Sequence, residues 1–304
     1  MIGKKIFQKK TKQGQVLGTG EKIFNFIMII LGIIITFIAL YPIYYVFIAS
    51  VSKPFFVDNG EVLMRAKEFT LASYKAVFEM DGLWRAYGNA IFYLVVGLLA
   101  NMFFTTTMAY ALSRKKLVGR KFFTIFVVFT MWFSAGIVPT YLNFSALGLL
   151  NTRTSVIIGF AIDTYNLIIM KSFFEQIPEA LEEAAFIDGA SHLKVFWNIY
   201  LPLSKPALTT IALFYGIGRW NGYFWMMQLI KDDSKIPLQV FLKKMLVERV
   251  ANPADATIIT QASLTSPTTQ IYALIIIAII PMILIFPFVQ KYFRAGVTVG
   301  GVKG

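Results

Sequence analysis

The main pattern along the chain is a series of long apolar stretches separated by polar, charge-bearing segments. An α-helix rises about 1.5 Å per residue, so a hydrocarbon core about 30 Å thick takes roughly 20 apolar residues. Six stretches meet that length. The first runs from Ile23 to about Val51 without a charge, and the second covers about Ala90 to Ser113. The third begins at Phe122 and ends near Pro139 to Tyr141. The fourth, about Thr154 to Met170, contains Asp163, and the fifth, about Pro206 to Met227, contains Arg219. The sixth covers about Gln270 to Gln290. The pattern predicts an all-α, polytopic membrane protein with six transmembrane helices. The first stretch exceeds the roughly 7–15 apolar residues of a signal peptide, and Tyr44, Tyr45 and Phe47 stand where a small-residue cleavage site would be. It therefore reads as a retained helix.

Composition agrees with this pattern. Of 304 residues, 57% are hydrophobic and 15% charged, against about 25% charged in an average soluble protein. The mean hydropathy is +0.65. These values argue against a soluble enzyme, a nucleic-acid-binding domain and a disordered chain. The chain has no cysteine, which excludes a disulfide scaffold.

The net charge of +13 takes its meaning from where it lies. Six spans place both termini on one side. That side, with the segments after spans two and four, holds 17 Lys and Arg. The opposite side holds 11, balanced by nine acids. Basic excess marks the cytoplasmic face, so both termini are expected in the cytoplasm and no nucleic-acid partner is required. Residues 1–22 read as a basic cytoplasmic N-terminal segment, 23–293 as one helical transmembrane domain, and 294–304 as a cytoplasmic tail. Two outer loops are substantial, about residues 52–88 and 228–268. Within the second, apolar residues from Ile236 to Glu248 recur at helical spacing and predict a short amphipathic helix, an interfacial strut or a partner contact.

The chain lacks the groups that an enzyme needs. Its single histidine, His192, and its lack of cysteine remove Cys/His nucleophilic sites, ordinary zinc sites and Ser-His-Asp triads. No Gly-x-x-x-x-Gly-Lys-Ser/Thr sequence is present, so no P-loop can bind and hydrolyse ATP. No catalytic residue, metal site or bound cofactor is expected, and the energy source is expected on another chain.

The inner loop between spans four and five carries the strongest motif, from Ile177 to Pro202. Pro178 suits the first turn of a helix, and Glu179, Glu182 and Glu183 favour its N-terminal end. Ala180, Ala184 and Ala185 are strong helix formers with small side chains. Gly189 is placed to end the helix. A second short helix then carries Leu193, Phe196, Trp197 and Ile199 before Leu201-Pro202 turns into span five. The first helix offers a small-residue face along the inner surface, open to close approach by another protein.

This segment resembles the EAA loop of binding-protein-dependent ABC importers: E-A-A, three residues, G, nine residues, I-x-L-P. Glu183, Ala184, Ala185 and Gly189, followed by Ile199, Leu201 and Pro202, fill seven positions across twenty residues. Asp188 and Ala190 flank the glycine. The six-span layout, the Ser113-Arg114-Lys115 end of span two and the tail Tyr292-Phe293 to Gly300-Gly301-Val302-Lys303-Gly304 are similar to the smaller permease of maltose-type carbohydrate importers. Arg219-Trp220-Asn221 and Pro237-Leu238-Gln239 resemble permeases of lipoprotein-linked oligosaccharide and polysaccharide importers of Gram-positive bacteria.

The resemblance implies a multi-pass cytoplasmic-membrane subunit that moves a sugar by alternating access. Its implied partners are a second homologous permease, two ATPase subunits that hold ATP and magnesium, and an extracellular substrate-binding lipoprotein. It implies that Glu183 contacts a basic residue of the ATPase, that Ala184 and Ala185 allow close seating, and that Gly189 makes the turn. His192 lies near that contact and reads more simply as a solvated polar residue. A secondary transporter would need ion-coupling residues and usually inverted repeats; neither is visible. A non-sugar solute stays open as the cargo.

Charges inside a bilayer cost at least about 2.5 kcal/mol and usually face a cavity or a partner. Asp163, Asn166, Arg219, Trp220 and Asn221 are therefore the candidates for the sugar path. Tyr223 and Trp225 suit either that path or an interfacial aromatic belt. Asp163 is expected ~14 Å and Arg219 ~12 Å below the outer surface. At such similar depth they are expected to pair or to share a polar cavity.

Overall fold

A computed structural model describes residues 18–251 and 263–300, whose regular secondary structure is helical apart from one isolated bridge between Ser52 and Phe69. The basic segment up to residue 17 and the end of the tail, residues 301–304, lie outside them. In chain order the elements are α1 (Thr19–Ser50), α2 (Pro54–Asp58), α3 (Ala72–Phe78), α4 (Leu83–Ser113), α5 (Arg120–Trp132), α6 (Ile137–Ala146), α7 (Arg153–Ile158) and α8 (Thr164–Glu175). The inner segment follows as α9 (Glu179–Ile187), α10 (His192–Val195), a π-helical turn over Phe196–Tyr200, and α11 (Leu201–Leu203). The chain continues through α12 (Lys205–Asn221), α13 (Phe224–Leu229), α14 (Leu238–Ala251) and α15 (Pro267–Gly300).

Three helices are long and apolar enough to cross a membrane unbroken: Gly20–Ser50 of α1, all of α4, and Pro267–Ile285 of α15. They correspond to the first, second and sixth stretches of the sequence. The middle three stretches differ from the continuous helices expected, because each is two shorter helices. In the third, the chain leaves α5 at Phe133 and re-enters helix after Gly136, whose φ of 87° is one that L side chains rarely adopt. In the fourth, a side chain at Gly159 would run into the Phe144 ring, so α6 and α7 approach closely only because no Cβ is there. In the fifth, α12 stops at Asn221, and a Cβ at Gly222 would lie 2.8 Å from the Gly218 carbonyl.

Asp163 is consequently not a mid-helix charge. It is the N-cap of α8, and its Oδ1 accepts from the Asn166 amide at 2.9 Å. That bond satisfies one of the donors that every helix start leaves unpaired.

Broken helices expose backbone groups that must find partners inside the protein. One ridge of α4 supplies several side-chain partners of this kind: Asn89, Tyr93, Gly97, Asn101 and Thr105 stand four residues apart and are buried. Asn89 Nδ2 donates to the carbonyls of Ser234 and Ile236 at 2.9 and 3.0 Å, and its Oδ1 accepts from Arg153 at 3.0 Å. Tyr93 donates to the Lys235 carbonyl at 3.0 Å. Thr105 shares a 2.6 Å hydrogen bond with Tyr215 of α12, whose hydroxyl also accepts from the Asp163 amide. The opposite side of α4, including Val95, Leu99 and Phe103, is exposed and apolar.

The helix predicted between Ile236 and Glu248 forms as α14, which packs on α4 and α15 with Leu238 and Val240 fully buried. α15 continues through Pro281 and Pro287. α1 packs along α15 at its C-terminal end, while the most apolar part of α1 is uncovered throughout.

The ridge makes a testable difference between the two sides of α4. Asn89→Leu strands two carbonyls and an arginine donor, at about 1–3 kcal/mol for each buried group left unpaired. Leu99→Ala, on the exposed side, should change stability by less than about 0.5 kcal/mol. Equilibrium unfolding in detergent micelles measures both.

Candidate functional site

The inner segment is built around α9, which starts directly after Pro178. Glu179 and Glu182 occupy its first turn, where negative charge meets the positive end of the helix dipole. It ends at Gly189, whose φ is +78°. The Gly189 amide donates to the Phe186 carbonyl at 3.0 Å and the Ala190 amide to the Ala185 carbonyl at 2.9 Å, the double bond of a Schellman turn. Asp188 is its exposed C-cap residue.

No residue of α9 is fully buried. Glu183 and Ala184 face outward, and Glu183 makes no ion pair among the described residues. Ile187, Leu193 and Trp197 stand exposed beside them, Ile187 at 86%. Ala185, Ala190, Ile199 and Leu201 turn inward as half-buried packing against the core of α4 and α8, with Pro202 exposed at the start of α11. His192 is exposed, and its ring meets Phe186 edge-on at 4.8 Å. The surface that remains is small, apolar and flanked by one free carboxylate. Such a face suits a protein partner.

Beneath α9 lies a cluster that the sequence reading did not single out. Arg114, the residue that follows α4, donates to the Glu182 carboxylate, to the Tyr200 hydroxyl and to Ser113 Oγ. Its guanidinium lies 4.1 Å from the centre of the Tyr200 ring and 4.9 Å from that of Tyr110. Tyr200 in turn donates to Glu182 at 2.9 Å. Burial above all pushes the Tyr200 phenol up to about 12, so it stays protonated and remains a donor at neutral pH. The adjacent glutamates thus have opposite surroundings: Glu182 is half-buried in a pair, and Glu183 is exposed without one.

A cavity of about 440 Å³ lies between the breaks of the fourth and fifth stretches. Asp163, Asn166, Arg219 and Asn221 all line it, with Tyr223 and Trp225. Trp225 packs on the Phe160 ring at 5.5 Å, which gives one wall an aromatic surface. Asn166 is 5% exposed, and its Oδ1 has no hydrogen-bond partner among the described residues. Trp220 is elsewhere: it is buried against α4 and α15, T-shaped to Tyr87, with Nε1 donating to the Ala278 carbonyl at 3.2 Å.

The expected pairing of Asp163 with Arg219 does not form, although both reach the same cavity. Arg219 instead closes the break after α7. Its Nη1 donates to the Val156 carbonyl, and Nη2 to those of Ile157 and Phe160 at 3.0 and 3.1 Å. Its Nε donates to Asn101 Oδ1 at 2.8 Å, while Asn101 Nδ2 holds the Phe160 and Ala161 carbonyls at 3.0 and 2.8 Å. A cation among the carbonyls at a helix C-terminus is favourable, and it consumes the donors that a carboxylate would have taken. Asp163 is held at the opposite side of the break as the cap of α8. The missing signal for Asn101 was its place in a four-residue series with Tyr93, Gly97 and Thr105 within an apolar span.

Gly97 makes this arrangement possible: a Cβ there would sit 2.9 Å from Arg219 Nε. Gly97→Val should therefore push the guanidinium off the break and free three backbone carbonyls and the Asn101 side-chain oxygen. The expected loss is about 2–4 kcal/mol, as for other changes that disrupt buried networks. A melting curve in micelles, compared with Gly88→Val where nothing lies within 4 Å, measures it.

Known proteins are similar to this chain over nearly its whole length. Protein LplC of Bacillus subtilis (strain 168) is 41% identical over 270 residues, covering 88% of this chain and 90% of that protein. The polygalacturonan/rhamnogalacturonan transport system permease protein YtcP of the same organism is 38% identical over 281 residues, covering 92% and 98%. Among solved structures, a chain of a bacterial ABC transporter involved in the import of the acidic polysaccharide alginate superposes with a TM-score of 0.83 at 40% identity, covering 91% of this chain and 99% of that one. Residues 17–299 match the model of one family, and the chain belongs to it: the binding-protein-dependent transport system inner membrane components.

Proposed function

We propose that this chain is one of two permease subunits of an ATP-driven importer that carries an oligosaccharide across the cytoplasmic membrane of a Gram-positive bacterium. The observation that carries this reading is α9: an exposed helix with the E-A-A pattern, a free Glu183 and a glycine-closed end. A relative named for polygalacturonan/rhamnogalacturonan transport and a structural neighbour named for alginate import support a saccharide as cargo.

In this reading the broken third, fourth and fifth stretches each cross the membrane, which makes six spans with both termini inside. Residues 23–293 form the transmembrane domain, 1–22 the basic inner segment and 294–304 the tail. The excess of Lys and Arg on the α9 side sets that orientation. α9 docks one of two ATPase subunits, which hold ATP and magnesium and perform the hydrolysis. A lipoprotein delivers the sugar to the outer loops.

The cavity between the two helix breaks belongs to the sugar path. Aromatic faces of Phe160 and Trp225 suit the C–H surface of a pyranose ring. The unpaired Asn166 Oδ1 supplies an acceptor for a hydroxyl, and Asn221 adds an amide on the same wall. Arg219 contributes by keeping the break open. Ligand sites at discontinuous membrane helices follow the same physical rule, since irregular backbone is tolerated where it lines a cavity.

Two outcomes test the assignment. Glu183→Lys should abolish uptake and co-purification with the ATPase while the chain still reaches the membrane; normal assembly and uptake would refute α9 as the docking helix. The purified chain alone should hydrolyse no ATP, with activity appearing only when the ATPase subunits are added and rising with sugar-loaded binding protein.

A further inference from the structure

The cluster of Arg114, Glu182 and Tyr200 explains how a helix with no fully buried residue is held in place. We propose that it is the joint that fixes α9 to α4, so that movement imposed on α9 is delivered through α4 to the cavity. This rests on the reading of α9 as the ATPase-docking helix.

Three observations carry the inference. First, the joint is protected while its neighbours are not. The side chains of Arg114 and Glu182 are 15% and 14% exposed, whereas Lys115 and Glu179, the next pair along, are 71% and 55% exposed. Exposed pairs are screened by salt and contribute little. A buried pair is strongly destabilised by loss of one partner, because the other charge is left without compensation.

Second, Arg114 is held in several ways at once. It meets a carboxylate, two hydroxyls and two aromatic rings, from α4, α9 and the π-helical turn. Ser113 and Tyr110 of α4 hold the guanidinium in place, so sliding α9 along α4 would break the bonds that Glu182 receives from Arg114 and from Tyr200 together. The apolar packing of α9 is limited to half-buried residues such as Ala185 and Phe186, which tolerate sliding better.

Third, α4 reaches from the joint to the cavity without a break. Asn101, which holds Arg219, lies thirteen residues before Arg114, about 20 Å along a helix. Between them Thr105 bonds Tyr215 on α12, so α4 also grips the helix that brings Arg219 to the cavity. Arg114 and Glu182 are therefore positioning residues. They touch neither the ATPase nor the sugar in this arrangement.

The test uses the assembled importer in liposomes and exploits the cysteine-free sequence. Spin labels at Leu181→Cys on α9 and Ile91→Cys on the exposed side of α4 report the distance between the two helices. In the otherwise native protein that distance should stay the same, within about one helical rise of 1.5 Å, when ATP is added. In Arg114→Ala and Glu182→Ala it should broaden or shift. Stimulation of ATP hydrolysis by binding protein mixed with trigalacturonate, alginate trisaccharide or maltotriose should fall about tenfold or more in both variants. The exchanged pair, Arg114→Glu with Glu182→Arg, should recover part of it, which a misfolded protein would not.

A distance that changes by several ångströms on ATP addition in the native protein overturns the joint. So does full stimulation in both alanine variants. Failure of the native chain to assemble with an ATPase, or stimulation by none of the three sugars, refutes instead the importer reading on which the joint rests.

Discussion

The rest of the structure depends on one requirement: carbonyls released where membrane helices break must be satisfied without water. After α7 the chain leaves helix for five residues in a largely apolar setting, and Arg219 and Asn101 close that gap with side-chain donors. An arginine suits this better than a lysine, because its planar fork reaches several carbonyls at once. The break needs Arg219, Arg219 needs the notch at Gly97, and the cavity exists because the break is held open.

That requirement also explains the character of α4. Its exposed side is apolar and interchangeable in chemical terms. Its buried ridge is polar and specific, and it serves the outer segment at Ser234–Ile236, the break after α7 and α12 in succession. At the inner end the next residues, Ser113 and Arg114, serve α9. A single unbroken helix thus connects the Ser234–Ile236 segment at one end with α9 at the other. The two consecutive glutamates of α9 divide the work there, Glu182 inward and Glu183 outward.

Much of this was legible in the sequence. Apolar length located the three unbroken apolar helices, and for α1 and α4 the C-terminal boundaries agree to within a residue with Val51 and Ser113. Pro178, the run of glutamates and Gly189 marked both ends of α9, because capping chemistry is local. The breaks in the middle stretches were not legible, since hydropathy does not register whether a glycine meets a ring from another helix, as Gly159 meets Phe144. For the same reason Asp163 and Arg219 looked like a pair. Their depth could be counted, but the carbonyls that claim Arg219 arise only from the break. Trp220 looked like part of the sugar path from its neighbours in sequence, yet helical rotation carries it to the side of α12 that faces α15.

The ridge on α4 has a consequence for how such a chain can vary over evolution. Each residue added to a helix turns everything beyond it by about 100°. One residue inserted between Asn101 and Arg114 would rotate the cavity end away from the α9 end, and no nearby substitution could restore both. Point changes along the exposed side are cheap, whereas insertions and deletions within α4 are close to forbidden. The loops outside α4 have no such phase to keep, and the variation in length that distinguishes one importer from another is expected to accumulate there.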